Sequence, residues 1–314
     1  MRKASLGSLA AALPLLVLLA VPVIAQNAPA PPAQPAAAPQ ANCDVSGEWS
    51  ARSREDAEDR VLLGTNPGDY TGFPLNDAAR QFADHWSASI LSLLTQQAIP
   101  HPAQYIMRGP GPNVRIAKFV DPITRQFIGY TIDGVYGRND RTVWMDGRPH
   151  PPEYAEYTWD GFSTGRCERG MLVVTTTHMK YGYHRRNGVP ASVKSTMTEH
   201  FIRHGTEMTI VQFTEDPVYL DEILARTTDF QINPGQNVGP PGFGFEIVDE
   251  IASWPPGYVP HYPFGTEHRE FAEKLGVPFE ATRGYAEAMY PEYLPKLRKM
   301  MSEGAAARSA SASR

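Results

Sequence analysis

Several motifs that mark large enzyme classes are missing from this chain of 314 residues. It has no Walker loop, no G-x-S-x-G nucleophile elbow, no dinucleotide-binding fingerprint and no C-x-x-C pair. It also has no H-E-x-x-H or other tight zinc-ligand spacing. These absences argue against nucleotide-dependent enzymes, dithiol oxidoreductases, α/β-hydrolases and zinc proteases. We therefore predict neither a cofactor nor a metal ion.

Cysteine is scarce, with two residues in the whole chain, Cys43 and Cys167. In an oxidising compartment the two can pair, and closing so long a loop stabilises a fold by about 4–5 kcal/mol in the chain-entropy model. Spacing along the sequence does not report proximity in space. The sequence therefore leaves the disulfide open.

Long apolar runs are also rare. Residues 9–20 form one, after a basic N terminus and before Val23 and Ala25, which suit the −3 and −1 positions of a cleavage site. This pattern predicts a signal peptide over residues 1–25 and a periplasmic or extracellular protein. No later run reaches about 20 apolar residues, so we expect no integral membrane segment once the signal is removed.

Clustered positive charge is the next absence. The formal net charge is −5, with acidic and basic residues interspersed, whereas a nucleic-acid partner requires a basic face. Composition also predicts the organisation of the chain. Residues 26–42 are a Pro/Ala-rich linker, residues 43–302 a single mainly-β domain with helical additions, and residues 303–314 a disordered tail.

Short strands bounded by turn residues dominate that domain. Their spacing predicts a mainly β fold, an antiparallel lipocalin-like barrel or sandwich with a few packed helices. Gly205-Thr206 is a two-residue hairpin signal between two of the strands. The predicted strands cover residues 115–120, 127–135, 141–145, 171–178, 194–204, 207–214, 227–232 and 243–251.

Two helices are predicted. The first begins at Asn76 or Asp77 and continues to about Leu94, and its apolar stripe is expected to pack on the barrel. That stripe consists of Phe82, Trp86, Ile90 and Leu93 or Leu94. The second begins at Thr266 and stops at Gly276, with an inward face formed by Phe271 and Leu275.

Side-chain alternation singles out two polar residues. It places His178 on the same side of its strand as Leu172 and Val174, and Glu199 on the same side as Met197 and Phe201. If both apolar faces turn inward, His178 and Glu199 point into one cavity, where they form the candidate catalytic pair of an enzyme. The alternative is that Arg203 or another cation pairs with Glu199 in a structural role.

Aromatic and basic residues around these strands are candidates for ligand binding. Arginine pairs and tyrosines can hold a carboxylate or phenolate, although an exposed hairpin end commonly carries the same residues. The candidates are Trp144, Tyr183, Arg185, Arg186 and His200.

Several stretches together resemble a family of secreted bacterial proteins to which no activity is assigned. They read WMDGRPHPPEY, GFSTGRCERGMLVVTTTH, RRNGVP, TEHFIRHG and EDPVYL, and the resemblance covers residues 72–229 and, more loosely, PFEATRGYAEAMYPEY. This chain departs from the pattern at Cys167, where the family has tryptophan, and at Arg169-Gly170, where it has Gly-Asp. Gly47-x-Trp49 is similar to the opening of lipocalin-like barrels, which implies such a barrel here.

Two hypotheses of function follow. The first is a secreted barrel that binds a small, largely apolar or aromatic ligand. The second is a cofactor-independent hydrolase, lyase or isomerase that uses His178 and Glu199 at the barrel mouth. Convergence of these two residues and an arginine on one open cavity would favour the enzyme.

Overall fold

A computed structural model describes most of the predicted domain. The described residues are 43–54, 66–87, 89–90, 98–99, 102–107, 113–134, 141–185, 187–235, 248–249, 263 and 265–312. The predicted signal peptide and linker lie outside these ranges, so their boundaries stay predictions.

Nine strands form a closed barrel, which confirms the mainly β class. Around the barrel their order is β1-β12-β11-β10-β7-β6-β5-β4-β3, and β1 pairs with β3 to close the ring. Two further pairs, β2 with β13 and β8 with β9, form separate two-stranded sheets. In chain order the strands are β1 (Gly47–Arg54), β2 (Ala98–Ile99), β3 (Asn113–Val120), β4 (Phe127–Gly134), β5 (Arg141–Trp144), β6 (Phe162–Glu168), β7 (Met171–Thr177), β8 (Gly182–Arg185), β9 (Val189–Ala191), β10 (Thr196–His204), β11 (Glu207–Glu215), β12 (Leu224–Ile232) and β13 (Val248–Asp249).

One pair departs from the expected antiparallel barrel. β5 and β6 are parallel, with Val143 opposite Ser163 and Trp144 opposite Thr164. Parallel neighbours need a long crossover, and residues 145–161 supply one that returns the chain to the end from which β5 started. The sheet is therefore mixed.

The helices are short except for the last. They are α1 (Asp77–Asp84), α2 (Ala103–Ile106), α3 (Glu270–Leu275) and α4 (Leu294–Ala312), with 3₁₀ turns at Glu267–Arg269, Phe279–Thr282, Glu287–Met289 and Pro291–Tyr293. The tail expected to be disordered differs from that expectation, because α4 continues to Ala312. Among the described helices, none combines the length and apolar character needed to cross a bilayer.

The first predicted helix has the expected start but a different end and face. The Asn76 side chain accepts from Ala79 N at 3.0 Å and caps α1, which already ends at Asp84. Its buried residues are Ala79 and Ala83, whereas Phe82 is 38% exposed. The predicted stripe is wrong because the small alanines allow close packing against β9, and the chain leaves the helix before Trp86. Leu93 and Leu94 lie outside the described residues.

The second predicted helix also buries an alanine where large apolar residues were predicted to face inward. Gly276 ends α3 in the left-handed region, at φ 61°, as expected. The buried residue of α3 is Ala272, and Leu275 is exposed. The predicted inward face is therefore wrong at Leu275, because α3 spans under two turns and buries Ala272 instead.

The barrel interior is filled by side chains rather than left hollow. Trp49, Tyr130 and Phe201 are each fully buried within one cluster. Trp49 Nε1 donates to Val45 O at 3.0 Å, which satisfies the one polar atom of the indole. The cluster comprises Val45, Trp49, Met107, Val114, Ile116, Tyr130, Ile132, Val143, Leu172, Val174, Phe201, Met208, Ile210 and Phe230.

The two ends of the barrel differ. At the lower end, which we define as the end where β7 begins, short connections such as Gly205-Thr206 join β10 to β11, as predicted. At the upper end, where β7 finishes, the chain inserts α1, α2 and the β8–β9 hairpin. A second apolar cluster links α1 to β9 and to Tyr285. Long insertions at one end of a rigid barrel commonly carry function.

Two matched substitutions test whether Phe201 belongs to the barrel core and whether Phe82 lies on a buried helix face. We expect Phe201→Ala to lower the free energy of unfolding by about 3–5 kcal/mol, because it opens a cavity in the filled barrel. Phe82→Ala should cost less than about 1.5 kcal/mol, because the ring is partly solvated and packs edge-on or tilted against the rings of Tyr181 and Tyr219 at the surface. Urea titration measures both values. Equal decreases in unfolding free energy for the two variants would show that Phe82 is buried, as the predicted stripe requires.

Candidate functional site

A buried polar layer lies inside the barrel near its upper end. Arg141 is 3% exposed and Glu199 is fully buried, and their side chains form an ion pair with Nη2 2.5 Å from Oε2. Arg141 Nη2 also donates to Thr176 Oγ1 at 2.7 Å, and Nε donates to Ser163 Oγ at 3.0 Å. These four residues are called the polar layer below.

Strand alternation explains why the polar layer points inward. Glu199 lies between Met197 and Phe201 on the buried face of β10, as the sequence predicts. Thr176 belongs to the inward face of β7 with Val174, and Arg141 shares its face of β5 with Val143. The partner of Glu199 is therefore a cation other than Arg203, which donates to Asp44 O at the lower end.

Helix α2 is held beside the layer, since it bonds to Gln212, the cross-strand neighbour of Glu199 on β11. Gln212 Nε2 donates to Gln104 O at 3.1 Å, and Ser195 Oγ donates to Gln104 Oε1 at 3.0 Å. Ala103 of the same helix joins Met179 and Met197 in a small apolar cluster. Hydrogen bonds and methionine contacts thus seat α2 in the barrel mouth.

Three buried polar atoms around the layer lack partners. Within the part of the chain that the structure describes, no hydrogen bond reaches Arg141 Nη1, Glu199 Oε1 or Gln104 Nε2. Each such group costs about 1–3 kcal/mol, and more if charged. Native proteins rarely leave them unsatisfied, so the layer has capacity for another polar group.

A chain of hydrogen bonds through His150 and His178 lies on the outer face of β6 and β7. We call it the histidine relay. His150 Nδ1 and His178 Nδ1 each lie 2.8 Å from Thr177 Oγ1. His150 Nε2 lies 2.8 Å from Thr164 Oγ1, and His178 Nε2 lies 3.0 Å from Pro152 O. Only an N–H can face a carbonyl oxygen, so His178 Nε2 donates to Pro152.

The hydrogen bond that His178 Nε2 donates to Pro152 O sets the direction of the whole relay. With neutral rings, the Thr177 hydroxyl donates to His178, His150 donates to Thr177, and Thr164 donates to His150. Burial first, and then the charge of His178, lower the pKa of His150. A relay of this kind orders the crossover 145–161 against β6 and β7.

The predicted His178–Glu199 pair does not assemble. His178 has a positive φ of 59°, which ends the alternation of β7 one residue early. Its ring consequently turns toward Thr177 on the outer face, while Glu199 contacts Arg141 on the inner face. The arginine that converges on Glu199 is thus present, and the histidine is not.

The predicted ligand-binding residues lie apart from one another. Trp144 is on the outer face of β5 with Arg148 stacked 3.5 Å from its ring, and His200 is on the outer face of β10 against Phe213. Tyr183 belongs to the β8–β9 hairpin. Arg185 is buried there and donates to Asp69 O at 3.0 Å.

The fifth candidate, Arg186, lies outside the described residues. The other four candidates are described by the structure, and they do not lie together around one cavity.

Sequence reasoning missed three members of the polar layer, Arg141, Ser163 and Thr176. The alternation that singled out Glu199 also applies to Arg141, which precedes Val143 by two positions and so shares its face. Ser163 had no comparable signal, because no strand was predicted over β6. His150 was missed as well, although it lies within the WMDGRPHPPEY stretch.

A separate cleft of about 360 Å³ opens beside the start of β10. Two of its four carboxylates are already engaged: Asp216 accepts from Ser192 N and Oγ at 2.7 Å each, and Glu222 accepts from Tyr290. Within the described ranges, no group of three or more His, Cys, Asp or Glu side chains is arranged to hold a metal ion. The polar layer is therefore the stronger candidate site.

Comparison with protein-family models, with curated proteins and with solved structures finds no match for this chain. The closed barrel is compatible with the lipocalin-like resemblance. Membership of the secreted bacterial family stays a prediction.

The buried ion pair predicts a strong coupling between two positions. We expect Arg141→Met and Glu199→Leu each to lower the free energy of unfolding by about 3–5 kcal/mol, because each leaves a buried charge without its partner. The double variant R141M/E199L should return to within about 1 kcal/mol of the wild type, since Ser163 and Thr176 still bond to each other at 2.8 Å. Losses that simply add in the double variant, measured by urea titration, would contradict this.

The relay predicts a dependence of stability on pH. The folded state lowers the pKa of His150 from its ordinary 6.5, so it binds fewer protons than the unfolded chain just below that pH. The stabilisation is complete above 6.5 and is lost as the pH falls through the lowered value. His150→Gln should therefore flatten the decrease in unfolding free energy as the pH falls below about 6.5.

His268 provides the comparison for this test. Burial lowers the pKa of His268 too, so His268→Gln should remove a separate part of the same slope. An unchanged slope in H150Q, with the whole effect in H268Q, would show that the relay does not exclude the proton.

Proposed function

We propose that this protein is a secreted β-barrel that binds a small, largely apolar or aromatic molecule at its upper end. A polar group of that molecule contacts the polar layer. The observation that carries the proposal is the presence of Arg141 Nη1 and Glu199 Oε1, buried and without partners among the described residues. The predicted signal peptide supports the secreted location, and the net charge of −5 supports a partner other than nucleic acid.

The two free atoms specify the polar group. Arg141 Nη1 is a donor and Glu199 Oε1 an acceptor, so the complementary group must both accept and donate a hydrogen bond. A hydroxyl, a primary or secondary carboxamide, or a protonated acid meets this requirement. Water meets it too, and the experiment below distinguishes water from a ligand.

The surroundings favour an otherwise apolar molecule. Met179 and Met197 lie beside Ala103 of α2, and their flexible thioethers can adapt to ligands of different shape. Helix α2, four residues long, is held by the hydrogen bonds from Gln212 and Ser195 described above. Entry to the layer then requires α2 to move aside.

The alternative enzyme loses the pair on which it was based, because His178 and Glu199 occupy opposite faces of the sheet. A binding function needs no such pair. It needs only a buried site with a few placed polar groups, which the polar layer provides.

Ligand retention tests the proposal. The protein is purified after export by the cells that naturally produce it, and it is then denatured. The small molecules that it releases are identified by mass spectrometry. We expect the wild type to release a compound that R141M/E199L retains at least about tenfold less well, the loss of one charged hydrogen-bond contact being about 1.5–3 kcal/mol. The double variant is used because we expect it to preserve the fold, unlike either single variant.

The matched control is R166M/E168L. Arg166 and Glu168 form an exposed ion pair on β6, 2.9 Å apart, so the same substitutions there should leave retention unchanged. A wild type that releases nothing beyond the R141M/E199L background would overturn the proposal and assign the free atoms to water.

A further inference from the structure

The two cysteines meet at the lower end of the barrel. Cys43 is fully buried just before β1, and its Sγ donates to Met171 O at 3.5 Å. Cys167 lies opposite Leu172 across the β6–β7 hairpin, next to Met171. The 123 residues or so between them in sequence are thus folded back so that the two side chains occupy one corner of the barrel.

The two side chains lie beside the start of β7, because Cys43 Sγ bonds to Met171 O and Cys167 faces Leu172. Tyr130 fixes the backbone on the Cys43 side, because its hydroxyl donates to Cys43 O at 3.3 Å. Burial, followed by the hydrogen bond and charge of Cys167, raises the pKa of the Cys43 thiol to about 12. Both side chains are free thiols in this structure.

We propose that Cys43 and Cys167 form an intramolecular disulfide in the exported protein. The disulfide would join the segment that precedes β1, the strand that closes the barrel, to the β6–β7 hairpin. This inference is independent of ligand binding, and it depends on the predicted export to an oxidising compartment.

The oxidant is a disulfide of a thiol oxidase or of a small-molecule dithiol pool. The thiolate of Cys167 attacks one sulfur of that disulfide, forming a mixed disulfide and expelling one thiolate. The thiolate of Cys43 then attacks the Cys167 sulfur and expels the second thiolate. Two thiol protons and two electrons leave the protein, and one disulfide of the oxidant becomes two thiols.

The order of attack follows from exposure. Cys167 is partly exposed and can reach an oxidant, whereas Cys43 is fully buried and holds its proton tightly. Folded, reduced protein should therefore oxidise slowly, and the bond should form while the chain is still folding.

Alkylation under denaturing conditions tests the bond. The exported wild type is unfolded in iodoacetamide without reductant, and its intact mass is measured. We expect no alkyl group on the unreduced protein and two after reduction, with a cross-linked peptide pair that contains Cys43 and Cys167. Two alkyl groups without reduction, or a disulfide-linked dimer, would overturn the proposal.

Thermal unfolding supplies a second measurement. Reductant should lower the Tm of the wild type by on the order of 10 °C, because the long loop is no longer closed in the unfolded chain. The double variant C43S/C167S should show no response to reductant. A wild-type Tm that is equally insensitive would show that the bond is absent or carries no constraint.

Discussion

Backbone pairing of β1 with both β3 and β12 is the constraint on which the rest of the structure depends. A sheet that closes on itself has no edge strands, and it divides every strand residue between an enclosed and an outward side. In this protein the enclosed side is filled by aromatic and aliphatic residues such as Trp49 and Phe201. The closure leaves the two ends as the places where the interior can be reached.

The polar layer is a costly feature of that enclosed side. Charged groups inside a barrel lose their hydration, and a buried ion pair is often no more stable than apolar residues of the same size. Arg141 and Glu199 nevertheless lie within a few residues of the apolar core, beside a helix with its own hydrogen bonds to Gln212 and Ser195. Such a cost is typical of groups that are kept for recognition rather than for stability.

β6 and β7 separate two polar systems of different character. On the inner side, Thr176 and Ser163 bond to Arg141, while Arg141 Nη1 and Glu199 Oε1 have no partner among the described residues. On the outer side, Thr177 and Thr164 complete a relay in which the ring nitrogens of His150 and His178 all have partners. Thr176 and Thr177 are successive residues of β7. Thr176 belongs to the polar layer, which has capacity for a further polar group, and Thr177 belongs to the relay, whose hydrogen bonds are complete.

Local patterns were sufficient for much of the fold and for part of the site. Alternation along β10 predicted that Glu199 is buried, and turn residues predicted the Gly205-Thr206 hairpin and the mainly β class. The cap at Asn76 and the stop at Gly276 were also readable, since both depend on the conformation of a few adjacent residues. These features arise from interactions near in sequence.

Other features depended on contacts between distant segments. β6 is interrupted by Gly165 and polar residues, and it becomes a strand because β5 and β7 flank it. The left-handed conformation of His178 redirects its ring away from Glu199, and no residue pattern announces it. Alternation by itself therefore determined which residues enter the barrel. Only the tertiary structure decided that Glu199 meets Arg141 and that Cys43 meets Cys167, because those contacts depend on the order in which the strands close the ring.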